Sequence, residues 1–225
     1  MKRSFAFPTA LILVFSLNVD VGAQTQAQRD SAANEMCKVL KEMEHYPDTV
    51  RLLVAYQKAR DPFLKRYPAD AREEIWAGMH FRLQRNCPVY KEILDRLFPQ
   101  SGGWQRVAKK PETTLDTRAC RKFFAHRKHW YLETNGDTVQ VDFSNNQWVD
   151  HFKDGTYSRL KRYWVSDCEF ELEFVESNNE MRSRFSVPGD KYRYQILEKK
   201  DGYYEMSVQA VGVDQISLFH FYYER

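Results

Sequence analysis

Four cysteines, Cys37, Cys87, Cys120 and Cys168, are the residues whose type and spacing most constrain the chemistry. No two form a Cys-x-x-Cys pair and no Cys/His spacing of zinc type is present, so the even count reads as two disulfides. Four cysteines allow three connectivities, and their positions favour 37–87 and 120–168, each closing a loop of about 50 residues worth roughly 4 kcal/mol of chain entropy.

His126, His129 and His151 are the only other candidate metal ligands that group together. On a strand, positions i and i+3 face opposite sides, and Arg127 and Lys128 lie between the first two, so no metal is expected. Asp167, Glu169, Glu171 and Glu173 could suggest acid–base work. They alternate with Cys168, Phe170, Leu172 and Phe174, which is the pattern of a strand with one wet face. Arg118, Arg121, Lys122, Arg127 and Lys128 form a basic run best read as a solvated segment. The aromatic residues are the stronger candidates. Trp130, Trp148, Trp164, Tyr192 and Tyr194 suit the mouth of a small barrel holding a small apolar ligand. Eight strands leave an interior that is either filled by side chains or admits one small ligand, and a domain this small favours filling. No nucleophile elbow, His-Glu-x-x-His or phosphate-binding glycine loop occurs, so a non-enzymatic protein without a cofactor is expected.

The elements that must position these residues change character along the chain. Lys2 and Arg3, the apolar run Phe5–Leu17 and the small residues before position 24 read as a secretory signal over 1–23. Its removal leaves 32 basic and 30 acidic residues, a net +2, too near neutral to argue for nucleic acid. No later stretch is apolar enough to span a bilayer. Residues 24–99 carry a 3.6-residue period: Met36, Cys37, Leu40 and Met43, then Ile75, Trp76, Met79 and Leu83, then Val89, Tyr90, Ile93, Leu94 and Leu97. Three to four helices follow, with Asp48 and Asp70 as N-caps, Pro62 and Pro68 as breaks and Pro88 as a first-turn proline. Residues 100–118 read as a linker. From 119 to 225 the period becomes 2, punctuated by Asn135-Gly136, Asp154-Gly155 and Asp201-Gly202, with further turns at 144–146 and 188–189. Seven to eight short antiparallel strands result, an up-and-down β-barrel or curled sheet. The fold class is therefore α+β. In the last segment Ile216 and Leu218 alternate with Phe219 and Phe221, as in a strand covered on both sides.

Cys120 and Phe123, then Tyr131, Asn135, Gly136 and Val139, then Gln147, and finally Trp164, Asp167, Cys168, Glu169, Phe170, Glu171 and Leu172 form a series. It resembles small secreted β-modules of Bacteroidetes-type envelopes over residues 119–176. The chain departs from that pattern where a glycine usually follows the first strand's start (124–128 here), and at Val149, where the family carries an acid. The resemblance implies a lipocalin-like fold and an exported, periplasmic or extracellular location, and it supplies no reaction. Two functions are carried forward: a carrier of a small apolar ligand, or an envelope module that binds a protein partner through a patch around Phe219 and Phe221.

Overall fold

The computed structural model describes residues 25–99, 102–126 and 128–224; the expected signal, 1–23, lies outside them. Helices fill the N-terminal part and an antiparallel barrel the rest, so the α+β expectation holds. Helix α1 (Gln26–Glu42) starts in a capping box: the Thr25 hydroxyl accepts from the Gln28 amide, and the Gln28 side chain accepts from the Thr25 amide. Its inward face buries Met36, Cys37 and Leu40. Pro47, not Asp48, caps α2 (Asp48–Ala55). Asp48 instead opens that helix and pairs with Arg51 and Arg96, while Arg51 donates to the Leu40 carbonyl at 2.9 Å near the end of α1.

Pro62 does not break the chain as expected. A π-helical turn at Tyr56–Arg60 precedes it, and it falls in the first turn of α3 (Asp61–Leu64), so the helical path runs on through it. Asp70 lies in a 3₁₀ turn, Ala69–Ala71, that leads into α4 (Arg72–Asn86), and Pro88 opens α5 (Pro88–Leu97) as expected. The Cys37–Cys87 disulfide, Cα atoms 5.7 Å apart, ties α1 to the α4–α5 junction. Met36, Leu40, Met79, Leu83, Tyr90 and Ile93 form a core of their own.

The segment expected as a linker is folded onto the barrel. It contributes strand β1 (Gln105–Val107), and the Thr114 amide and the Thr113 and Thr114 hydroxyls all donate to the Leu197 carbonyl. Helix α6 (Thr117–Arg121) and a 3₁₀ turn, Lys122–Ala125, follow. The eight barrel strands are β2 (His129–Leu132), β3 (Thr138–Ser144), β4 (Gln147–His151), β5 (Tyr157–Trp164), β6 (Glu169–Ser177), β7 (Lys191–Lys199), β8 (Tyr203–Ala210) and β9 (Ile216–Tyr223). Each pairs antiparallel with the next. Strand β9 closes the ring by pairing with β8 on one side and with β2 on the other, and there β1 extends the same edge. Asn145 and Asn146, both at positive φ, make the two-residue turn between β3 and β4. The carboxylates of β6 face outward as expected but are partly covered by cations: Glu169 pairs with Lys110 at 2.6 Å, and Glu171 with Arg193.

One end of the barrel is plugged. The turn after α6 inserts Phe123, fully buried, against Phe170, Tyr204 and Phe221. The Cys120–Cys168 disulfide, Cα atoms 5.2 Å apart, fastens this plug to the segment entering β6. Both disulfides thus have the expected pairing. Phe219 and Phe221, the expected partner patch, are 3 % and 0 % exposed and point into the barrel. Leu218, on the other parity, is buried as well.

The second end faces the helices. Between β6 and β7 the chain forms a helix that the turn pattern does not reveal, α7 (Glu180–Phe185), capped by the Asn179 side chain. Arg82 of α4, 4 % exposed at its side chain, bonds to Asp30 of α1, to Asp190 and to the Phe185 carbonyl. Arg85 adds an ion pair to Asp190 at 3.0 Å. This network joins the helical part to the barrel.

Candidate ligand cavity

The filled-core and ligand-cavity expectations each describe one end of the barrel. Opposite the Phe123 plug lies a cavity of about 340 Å³, walled by the barrel interior and covered by α4, α5, β1 and α7. That size falls within the range of small-molecule sites. Its apolar walls include Leu160, Leu172, Phe174 and Phe219. Trp104, just before β1, stacks on Phe219 at 4.7 Å and donates its indole N–H to the Leu132 carbonyl at 2.6 Å.

The aromatic candidates separate. Trp148, Tyr192 and Tyr194 line the cavity. Trp130 does not: it lies on the outer face of β2, stacked on Tyr222. Trp164 is 43 % exposed at the plugged end, edge-on to Phe124 and Phe170. The parity of β2 and the length of β5 account for both, since inward positions near the end of β5 belong to the plug.

The polar groups of the cavity were not legible as a site in the sequence. On β4 the inward residues are Trp148 and Asp150, and Val149 between them faces out. An aspartate sharing parity with a buried tryptophan, against an outward valine, is the signal that could have found it. Asp150 is 7 % exposed, and its Oδ1 accepts from the Trp148 indole N–H at 2.7 Å. Burial raises its carboxyl pKa to about 6, against the lowering influence of Arg182 and of the Trp148 hydrogen bond. Arg182 projects from α7 to Glu133, with which it forms an ion pair, and donates to the Tyr131 hydroxyl at 3.4 Å. Burial opposes that guanidinium's charge, but Tyr131, Glu133 and Asp150 outweigh it and hold it firmly protonated. Glu133 follows β2 in a position that requires a glycine opposite: a Cβ on Gly102, at φ +77°, would lie 2.2 Å from the Glu133 carbonyl oxygen. Burial also keeps the Tyr131 and Tyr194 hydroxyls neutral far above neutral pH. At the rim, the Tyr192 hydroxyl meets the Ser186 hydroxyl at 2.5 Å and accepts from Arg85 at 3.1 Å.

The remaining sequence candidates are dispersed. His151 pairs with Asp142, His126 stacks on Tyr223, and His129 reaches the Phe123 carbonyl. Among the described residues no group of three His, Cys, Asp or Glu side chains is arranged for a metal. Arg118, Arg121 and Lys122 are exposed, and Lys128 pairs with Glu224.

A carboxyl whose pKa rises on folding favours the folded state most at low pH, and that advantage is lost as pH climbs through the folded value. Asp150 thus destabilises the fold near pH 7.5, by about 3 kcal/mol for a shift of about two pH units. Asp150→Asn is expected to raise stability by up to that amount at pH 7.5 and by almost nothing near pH 4, in urea titrations across that interval. A variant no more stable than the parent at pH 7.5 would show the carboxylate to be solvated. The comparison has to be with the parent at each pH, because buried His129, held down to about 4 by desolvation, destabilises the parent as pH falls below 6.5.

No protein-family model matches the sequence, and no curated protein is significantly similar to it.

Proposed function

We propose that the protein is an exported, non-enzymatic carrier that holds one small ligand in the open end of its barrel. The observation that carries this reading is the cavity of about 340 Å³, apolar-walled and floored by convergent polar groups. Two disulfides fit an oxidising compartment, and among the described residues no helix is long and apolar enough to cross a membrane. The competing reading, a partner-binding module without a pocket, rested on an exposed Phe219–Phe221 patch, and both rings are inside the barrel. A lipocalin-like role agrees with a barrel that is filled at one end and hollow at the other.

Val208 on β8 lines the cavity and is only partly buried, so Val208→Trp fills space without displacing the plug. Native mass spectrometry of protein isolated from an oxidising compartment is expected to find a small molecule bound to the parent and absent from the variant. Failure to detect a bound molecule or an added apolar probe in the parent would refute the carrier reading, as would equal occupancy of both.

A further inference from the structure

We propose that the ligand is an organic monocation, an aromatic or otherwise apolar body bearing a protonated amine that pairs with Asp150. This rests on the carrier reading and narrows it. Arg182 forms an ion pair with Glu133 and offsets only part of the cost of burying Asp150. Asp150 is left with a single side-chain hydrogen bond, to Oδ1 from Trp148, and no lysine, arginine or histidine nitrogen among the described residues lies within 4.0 Å of it. Arg182, Glu133 and Asp150 at the floor therefore sum to one negative charge whenever Asp150 is ionised, while the cations of the covering elements, Arg85, Lys91 and Arg106, pair with Asp190, Asp95 and Glu92. An uncompensated buried charge is costly, and a ligand bearing one positive charge removes that cost where a neutral or anionic one does not.

The surroundings suit the same class. Trp148 and Tyr194 stand beside the carboxylate with ring centroids 5.6 Å apart, and Tyr131 lines the same floor. Aromatic faces attract a cation, and an ammonium N–H supplies the donor that a carboxylate oxygen lacks. Beyond this floor the apolar walls of Leu160, Leu172 and Phe219 receive an uncharged body. A carboxylate ligand would meet Asp150 and Glu133 together, with Arg182 already engaged. Below about pH 6 the carboxyl of the empty barrel relieves its burial by holding a proton, and the amine replaces that proton on binding. The charged or titratable groups facing Asp150 are Arg182 of α7, Glu133, Tyr131, Tyr194 and the adjacent His151.

Three indoles that differ only in charge test this: tryptamine, 3-methylindole and indole-3-acetate, titrated calorimetrically into the full chain at pH 7.5. Tryptamine is expected to bind at least about tenfold more tightly than 3-methylindole, and indole-3-acetate more weakly than both. Asp150→Asn, in which the side-chain oxygen still accepts from Trp148, is expected to weaken tryptamine about 30-fold or more and leave 3-methylindole unchanged. At pH 5.5, tryptamine binding is expected to release a proton, measured by repeating the titration in buffers of different ionisation heat. If 3-methylindole binds as tightly as tryptamine and Asp150→Asn changes neither, the cation is wrong and the carrier stands. If none of the three binds at about 1 mM, the inference falls, and occupancy in the Val208→Trp comparison separately decides the carrier reading.

Discussion

Arg82→Ala is expected to cost about 3–5 kcal/mol, the range for removing one partner from a buried ion pair. Arg82 is the hub between the two halves. Its Nε donates to Asp30 at 2.6 Å, and its Nη1 donates to Asp190 at 2.6 Å and to the Phe185 carbonyl at 2.9 Å. Alanine leaves Asp30 without its ion pair, the Phe185 carbonyl without that donor and Asp190 with Arg85 and the Val187 amide. Equilibrium unfolding in urea at pH 7.5 measures the cost. The barrel and the helical core each hold their own disulfide, so the loss concentrates at their junction. Hydrogen exchange is expected to quicken first in α4 and α7. A cost below about 1 kcal/mol would mean that the network behaves as a surface ion pair, with water replacing the guanidinium.

The second large effect concerns the plug. Cys120→Ala with Cys168→Ala is expected to lower stability by about 4 kcal/mol, from the entropy of a loop of about 50 residues regained by the unfolded chain. The native-state consequence is local. Phe123 sits between Phe170, Tyr204 and Phe221 only while the turn after α6 is held against the barrel end. Releasing it uncovers an aromatic cluster, so near-ultraviolet circular dichroism and binding of an apolar dye at the plugged end should both change at neutral pH. An unfolding midpoint within error of the parent would show that aromatic packing alone holds the plug.

Much of this architecture was legible from periodicity. The change from a 3.6- to a 2-residue period, the Asn-Gly and Asp-Gly turns, and the doubly apolar last strand together specify helices followed by a closing meander. The strands nevertheless begin at His129 and not at the expected 119, because residues 117–125 form α6 and the turn that plugs the barrel. The cysteine positions favoured the pairing that both bridges have. Three features were not legible. Strand β1 is only three residues long and has no alternation of its own; it is a strand because β9 offers it an edge. Helix α7 is six residues held by an asparagine cap, too short for a period to register. The site was half-visible: Trp148, Tyr192 and Tyr194 follow from inward parity. Trp130 and Trp164 show that aromatic type without parity and position along the strand does not place a ring in a cavity. The charged floor escaped because Glu133, Asp150 and Arg182 come from three separate elements, and only barrel closure brings them together.

The pairing of β9 with both β8 and β2 has a consequence for the order in which the molecule can be made. Strand β9 is the last of the eight barrel strands in chain order, yet Phe221 must find Tyr131 across most of the β-module. Helices α1 to α5 and their disulfide can form while the barrel strands are still emerging, but β2 and β8 keep open edges until β9 arrives. Long-range closure of this kind is slow. During that interval two unpaired, aromatic-rich edges are available to neighbouring chains. A chain in which β9 cannot pair never leaves that state, so this strand acts as the latch for the whole barrel.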